Sequence, residues 1–144
     1  MKMYTRWLAM VMAFVMIFTT PVFAAGEVAP RESSFFARSS VYLHKTSTLT
    51  FQAWFDVTGT DAMQEIGART IKIQRSPDGE TWTDMKTFSR DSYPNLICNN
   101  TATHAACVTY TGTPGYYYRA YIVLYAKDST GSAEWYRYTT AIQL

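Results

Sequence analysis

The sequence lacks the short motifs that place catalytic groups at a fixed spacing. It contains no HExxH zinc motif, no GxSxG nucleophile elbow and no glycine-rich phosphate loop. It has only two histidines, His44 and His104, and we expect each to be a solvated surface histidine. We therefore expect a protein that is not an enzyme and that binds neither a cofactor nor a metal.

An excess of charge of one sign is also missing. The chain has 13 Lys and Arg against 11 Asp and Glu, but Lys2 and Arg6 precede a long apolar run. Without these two residues the remaining chain is neutral. A neutral chain with mixed charges has no electrostatic footprint for nucleic acid, so we expect no nucleic-acid partner.

Long hydrophobic runs are limited to WLAMVMAFVMIF, whose 12 residues are fewer than the ~20 that a membrane-spanning helix needs. The run follows Lys2 and Arg6, and Val22 and Ala24 occupy the small-residue positions of a cleavage site. This pattern predicts a signal peptide over residues 1–24 that is cleaved after Ala24. We expect a secreted, extracellular protein without a membrane anchor, with an irregular lead over 25–37 and one domain over 38–144.

Cysteine is scarce, and both cysteines lie in one stretch, CNNTATHAAC, over residues 98–107. Thiols persist as disulfides in an oxidising compartment, so we predict a disulfide between Cys98 and Cys107 that closes a short loop. Two alternatives fit less well. The spacing between the cysteines does not match structural zinc sites, even with His44 and His104 as further ligands. A catalytic cysteine needs a thiolate and an orienting group, and neither is indicated.

Helical periodicity is absent after residue 24, and short segments of period two replace it. In TLTFQAWFDVT, every second residue from Leu49 to Val57 is apolar, as one buried and one solvated face require. SPDG, with Pro77 and Gly79, predicts a tight turn between two strands, and DSTG predicts a second turn near the end of the chain. About seven short strands and many Thr and Tyr indicate an all-β fold, a single antiparallel β-sandwich.

Two segments carry a resemblance to known domains. IQRSPDGETW resembles the central hairpin of fibronectin type III and other immunoglobulin-like domains, and PGYYYRAYIV resembles their penultimate strand. The resemblance implies that Tyr118 is the buried residue of a tyrosine corner, with its hydroxyl bonded to backbone near Tyr110 to Pro114. It also implies that Trp82 is a core residue. The predicted core that follows from alternation and resemblance consists of Leu49, Phe51, Phe55, Ile71, Ile73, Trp82, Tyr118, Ile122 and Leu124.

A resemblance over nearly the whole chain rests on the signal peptide, Arg38, the hairpin ending in Trp82, the pair Tyr118 and Arg119, and the late Gly131 and Glu134. These features are similar to a family of small secreted proteins from Gram-positive, clostridia-like bacteria. This likeness implies a compartment and a fold, and no chemistry.

Tyrosine is the one enriched residue type, since most of the 11 tyrosines lie at or after residue 110. If Tyr118 and Leu124 face the core, alternation places their neighbours on the outer face of the sheet. If Tyr136 and Tyr138 face the core, Trp135 and Arg137 join that outer face. The predicted binding face then comprises Tyr117, Arg119, Tyr121, Tyr125, Trp135, Arg137, Lys72 and Gln74.

We predict a secreted, non-enzymatic interaction module that uses this face to bind a cell-envelope glycan or a protein. The competing structural interpretation is ordinary cross-strand pairing of Tyr and Arg on a solvated sheet face. The alternative function is a bacteriocin-like antagonist or inhibitor that presents the disulfide-closed loop.

Overall fold

A computed structural model describes residues 34–144, and this part of the chain is an all-β, antiparallel structure. Its seven strands form one hydrogen-bonded, curled sheet. The strands are β1 (Phe36–Lys45), β2 (Thr50–Ser76), β3 (Thr83–Ser89), β4 (Ile97–Thr111), β5 (Tyr117–Lys127), β6 (Ser132–Tyr138) and β7 (Ile142–Gln143). A 3-10 helix, Pro94–Leu96, precedes β4.

Strand β2 is the spine of the sheet, because it is 27 residues long and changes partners along its length. Its first half lies between β1 and β4, and its second half lies between β5 and β3. The register shifts between Thr58 and Met63 on the β4 side and between Ala68 and Thr70 on the β5 side. Such irregularities bend a strand and increase its twist, so both halves of β2 can contribute to one core.

The core forms where the inner sides of the two halves of the curled sheet meet. Seven of the nine predicted core residues are buried in one cluster, namely Phe51, Phe55, Ile71, Ile73, Tyr118, Ile122 and Leu124. The prediction was wrong for Leu49, which is half-buried just before β2, and for Trp82. Trp82 is also half-buried, and its ring lies against Arg119 outside the core cluster.

The predicted tyrosine corner is present. The side chain of Tyr118 is 1% exposed, and its ring contacts those of Phe51 and Tyr110 at centroid distances of 5.4 and 5.9 Å. The hydroxyl oxygen of Tyr118 accepts a hydrogen bond of 2.8 Å from the backbone N–H of Thr113. This bond satisfies a buried hydroxyl and fixes the connection that leads into β5.

The SPDG turn joins β2 to β3 as predicted. Gly79 has φ +82°, a conformation that glycine adopts without a steric penalty. Ser76 Oγ accepts a hydrogen bond of 2.8 Å from the Gly79 N–H, and Asp78 Oδ1 accepts bonds from the N–H groups of Thr81 and Glu80. These bonds favour the ionised carboxylate and lower the pKa of Asp78 far below its ordinary value.

The stretch CNNTATHAAC is strand rather than loop, which corrects the predicted disulfide. It lies within β4, where Cys98 is opposite Ile66 and Cys107 is opposite Trp54. Both cysteines are free thiols. Along an extended strand at about 3.3 Å per residue they are roughly 25 to 30 Å apart, whereas a disulfide needs Cα atoms within about 7 Å. The predicted closed loop, on which the inhibitor alternative depended, is therefore not formed.

The predicted signal peptide over residues 1–24 and nearly all of the predicted lead over 25–37 lie outside the described residues. Within residues 34–144, no helix has the length and apolar character that crossing a membrane requires.

Candidate binding face

The candidate face is built on the hairpin of β5 and β6. Asp128 Oδ1 accepts hydrogen bonds from the backbone N–H groups of Thr130 and Gly131, which closes the predicted DSTG turn. The turn fixes the register, so that Tyr121 lies opposite Tyr138. Residues directly opposite each other in an antiparallel pair have side chains on the same face of the sheet.

This register corrects the predicted orientation of β6. Trp135 lies opposite the buried Leu124, packs against the core, and stacks on Phe36 with ring centroids 4.7 Å apart. Arg137 lies opposite Ile122, and its Nε donates a hydrogen bond of 3.2 Å to Ser39 Oγ of β1. Trp135 and Arg137 are therefore on the inner side of the hairpin, and Tyr136 and Tyr138 occupy its outer side.

Arg119 is the central residue of the outer face. Its guanidinium carbon lies 4.2 Å from the ring centroid of Trp82 and 4.4 Å from that of Tyr138. Its Nε donates a hydrogen bond of 2.8 Å to Gln74 Oε1. Two aromatic contacts and one directional hydrogen bond together restrict a side chain that otherwise has many rotamers.

Three tyrosines continue this surface along the hairpin. The rings of Tyr121 and Tyr138 are 4.8 Å apart, and those of Tyr121 and Tyr136 are 6.2 Å apart and nearly parallel. Tyr136 is 57% exposed and Tyr138 is 55% exposed, although both are large aromatic residues. The surface is thus a contiguous cluster of rings open to solvent.

A polar network holds the base of this surface. Gln74 Nε2 donates a hydrogen bond of 2.8 Å to Asp84 Oδ1 on β3, and Lys72 Nζ lies 2.9 Å from Asp84 Oδ2. The bonds from Gln74 and Lys72 lower the pKa of Asp84, and the same ion pair raises the pKa of Lys72. We name the aromatic–basic face as the set Lys72, Gln74, Trp82, Arg119, Tyr121, Tyr136 and Tyr138.

One end of the aromatic–basic face adjoins a groove of about 470 Å³. Within it, the guanidinium carbons of Arg69 and Arg90 both lie over the ring of Tyr125, 5.3 and 5.4 Å from its centroid. Arg69 pairs with Glu134, and Arg90 pairs with Glu65 at 2.8 Å. The bonds from Arg69 and then Tyr136 lower the pKa of Glu134. Each arginine in this groove therefore has a carboxylate partner.

Of the eight predicted site residues, Trp135 and Arg137 lie on the inner side of the hairpin, and the other six do not. Lys72, Gln74, Arg119 and Tyr121 form one surface, with Tyr125 in the adjoining groove. Tyr117 begins β5, next to the Gly79 turn.

The prediction missed Trp82, Tyr136 and Tyr138 as members of the face. The length of the DSTG turn would have predicted the outward orientation of Tyr136 and Tyr138. A four-residue turn over 128–131 places Tyr121 opposite Tyr138, so an outward Tyr121 requires an outward Tyr138.

A second groove, of about 350 Å³, is lined by Arg38, Asp56 and His104 together with two threonines and an alanine. His104 Nε2 lies 2.8 Å from the carbonyl oxygen of Asn95, and its ring contacts Phe55 edge-on. No hydrogen bond joins His104 to Asp56 in the described chain. Among residues 34–144, no three His, Cys, Asp or Glu side chains are grouped so that they could hold a metal ion.

No protein-family model matches the chain, and no curated protein matches it. Among solved structures, the crystal structure of Spo0M, a sporulation control protein from Bacillus subtilis, is similar with a TM-score of 0.39 and 13% sequence identity. The match covers 73% of this chain and 49% of that protein, so this chain spans about half of its length. A similarity this low carries no argument about function.

Proposed function

We propose that the protein is a secreted, non-enzymatic binding module that recognises a protein partner through the aromatic–basic face. The observation that carries the proposal is the solvent exposure of Tyr136 and Tyr138 beside an arginine that contacts two rings. Tyrosine, tryptophan and arginine are the residue types that contribute most to protein–protein binding energy. Their contacts with each other leave little conformational entropy to lose on binding, which favours affinity.

A protein partner suits this surface better than a glycan. A sugar stacks on an uncovered ring face, but Arg119 covers one face of Trp82 and one face of Tyr138. Tyr121 and Tyr136 also lie against each other at an interplanar angle of 9°. The surface combines rings with tyrosine hydroxyl groups and a guanidinium, a mixture that fits the apolar and polar groups of a protein.

The same proposal includes an immunoglobulin- or fibronectin-like sandwich as the scaffold. The tyrosine corner at Tyr118 and a core that both halves of β2 share support this finer assignment. A secreted protein of the clostridia-like family is the biological setting that the sequence predicts.

The proposal is tested with the full chain and two variants. Tyr138→Ala removes an exposed ring of the face, and Thr109→Ala changes an exposed residue of β4 as a matched control. Proteins of the producing cell's envelope are captured on the wild type, and each captured protein is then purified and titrated against all three forms. We expect one partner whose affinity falls at least about tenfold with Tyr138→Ala and is unchanged with Thr109→Ala.

Two results would overturn the proposal. The first is a set of captured proteins that bind wild type and Tyr138→Ala equally. The second is binding of purified envelope glycan that depends on Tyr138 while no protein does so, which would assign the face to a glycan.

A further inference from the structure

The guanidinium of Arg119 has donors that the protein leaves unused. Its Nε bonds to Gln74, and within residues 34–144 no hydrogen bond or ion pair reaches its two Nη atoms. An arginine fork has five N–H donors, so four remain for a ligand. The rings of Trp82 and Tyr138 hold the plane of this fork in place.

The carboxylates near Arg119 are already engaged. Asp84 accepts bonds from Gln74 and Lys72, and both of its oxygens are used. Glu134 pairs with Arg69 through Oε1 and accepts the Tyr136 hydroxyl hydrogen bond at Oε2. The pairs Lys72 with Asp84 and Arg69 with Glu134 are each neutral. The face therefore has one uncompensated positive charge, that of Arg119.

We propose that Arg119 binds an aspartate or glutamate side chain of the protein partner, with its two Nη groups on the two carboxylate oxygens. The inference rests on the proposed function, and it names the chemistry that the face recognises. A carboxylate matches the planar fork in a bidentate arrangement. A single charge suits a monoanion, whereas a phosphate group at neutral pH carries up to two charges and is bound where several cations converge.

The aromatic rings add specificity to this contact. One face of Trp82 and one face of Tyr138 lie against the guanidinium, so the rings exclude water from part of its surroundings. Charge-assisted hydrogen bonds strengthen when water is excluded from them. An acidic side chain next to an apolar one is therefore the sequence pattern that we expect in the partner.

The test uses small probes, so it does not depend on identifying the partner. The full chain, uniformly labelled with 15N so that the Trp82 indole N–H also reports binding in each variant, is titrated with N-acetyl-glutamate methylamide, with the matching glutamine amide and with inorganic phosphate. We expect saturable shifts of the Arg119 guanidinium signals with the glutamate probe and none with the glutamine probe. Arg119→Lys should weaken glutamate binding at least about fivefold, because lysine lacks the bidentate fork.

Arg75→Lys is the matched control, because Arg75 also lies over a tyrosine ring, 4.3 Å from the centroid of Tyr116. It lies opposite the buried Tyr118 rather than on the aromatic–basic face. Glutamate binding should be unchanged in this variant. Thermal melts of all three proteins check that each variant is folded.

The inference is overturned if the glutamate and glutamine probes behave alike, if phosphate binds more tightly than glutamate, or if Arg119→Lys has no effect. A captured partner that depends on Tyr138 but not on Arg119 would retain the proposed function and remove this inference. Binding of the glutamate probe without any Tyr138-dependent partner would retain the carboxylate site at Arg119 and remove the proposed function.

Discussion

The two tyrosines Tyr118 and Tyr121 lie on one strand, yet replacing them should have very different effects on stability. Tyr118 is buried and contacts two other rings, so Tyr118→Ala leaves a large cavity. Truncations of buried aromatic residues cost about 3 to 5 kcal/mol of unfolding free energy. Loss of the bond from the Thr113 N–H adds no more than about 1 kcal/mol, because Thr113 is exposed and water can replace the hydroxyl.

Tyr121→Ala should cost less, because Tyr121 is only half-buried. Its contacts with Tyr136 and Tyr138 are aromatic pairs worth about 0.5 to 1.5 kcal/mol each. We expect a total loss of about 1 to 3 kcal/mol for the two pairs. The variant Tyr118→Phe, which removes only the corner hydroxyl, should lose about 1 kcal/mol and so separates the hydrogen bond from the packing.

Urea unfolding of the wild type and the three variants measures these differences, provided that the slopes of the transitions agree. The order of destabilisation is the sensitive observation. If Tyr121→Ala were as damaging as Tyr118→Ala or more so, the strand would be turned over, and the aromatic–basic face would be part of the core.

Two further predictions concern the backbone and the thiols. Gly67 has φ +151°, and an added Cβ would overlap the backbone oxygen of Leu96, so Gly67→Ala should destabilise by more than about 3 kcal/mol in thermal melts. Gly115→Ala is the control, because φ is +84° but the space is open, and its cost should stay at about 1 to 2 kcal/mol. Without reductant, iodoacetamide should alkylate both Cys98 and Cys107, with Cys107 the slower because burial raises its pKa. A protein mass lower by two hydrogens with no alkylation would instead show an internal disulfide.

The alternation of apolar and polar residues predicted the inner face of β2 and β5, because side chains two positions apart on a strand lie on the same face of the sheet. Alternation gave no strand signal over residues 59–68, although these residues are the middle of β2. Met63 and Ile66 are both buried although their spacing of three does not fit period two. Register shifts absorb the mismatch, and shifts of this kind depend on the partner strand rather than on the local sequence.

The loop predicted for CNNTATHAAC was wrong for a related reason. Asn favours turns when nothing else constrains it, but this segment pairs with β2 over most of its length. Asn100 takes φ +54°, which breaks the alternation within β4. Pairing with a distant strand therefore overrode the local preference, and the expected disulfide failed with the loop.

If the aromatic–basic face were only ordinary cross-strand pairing, its contacts would have to stabilise the fold by more than the cost of ordering its side chains. Cross-strand pairs are worth about 0.2 to 1 kcal/mol, and exposed ion pairs such as Lys72 with Asp84 are worth about 0 to 1 kcal/mol. Ordering the long side chain of Arg119 costs a rotamer entropy of up to about 2 kcal/mol. Stability alone therefore gains little from holding Arg119 between Trp82 and Tyr138. Ligand binding gains more, because Arg119 is already ordered in the free protein and loses little further entropy when it binds. Substitutions at Tyr138 should therefore weaken binding more than they weaken folding.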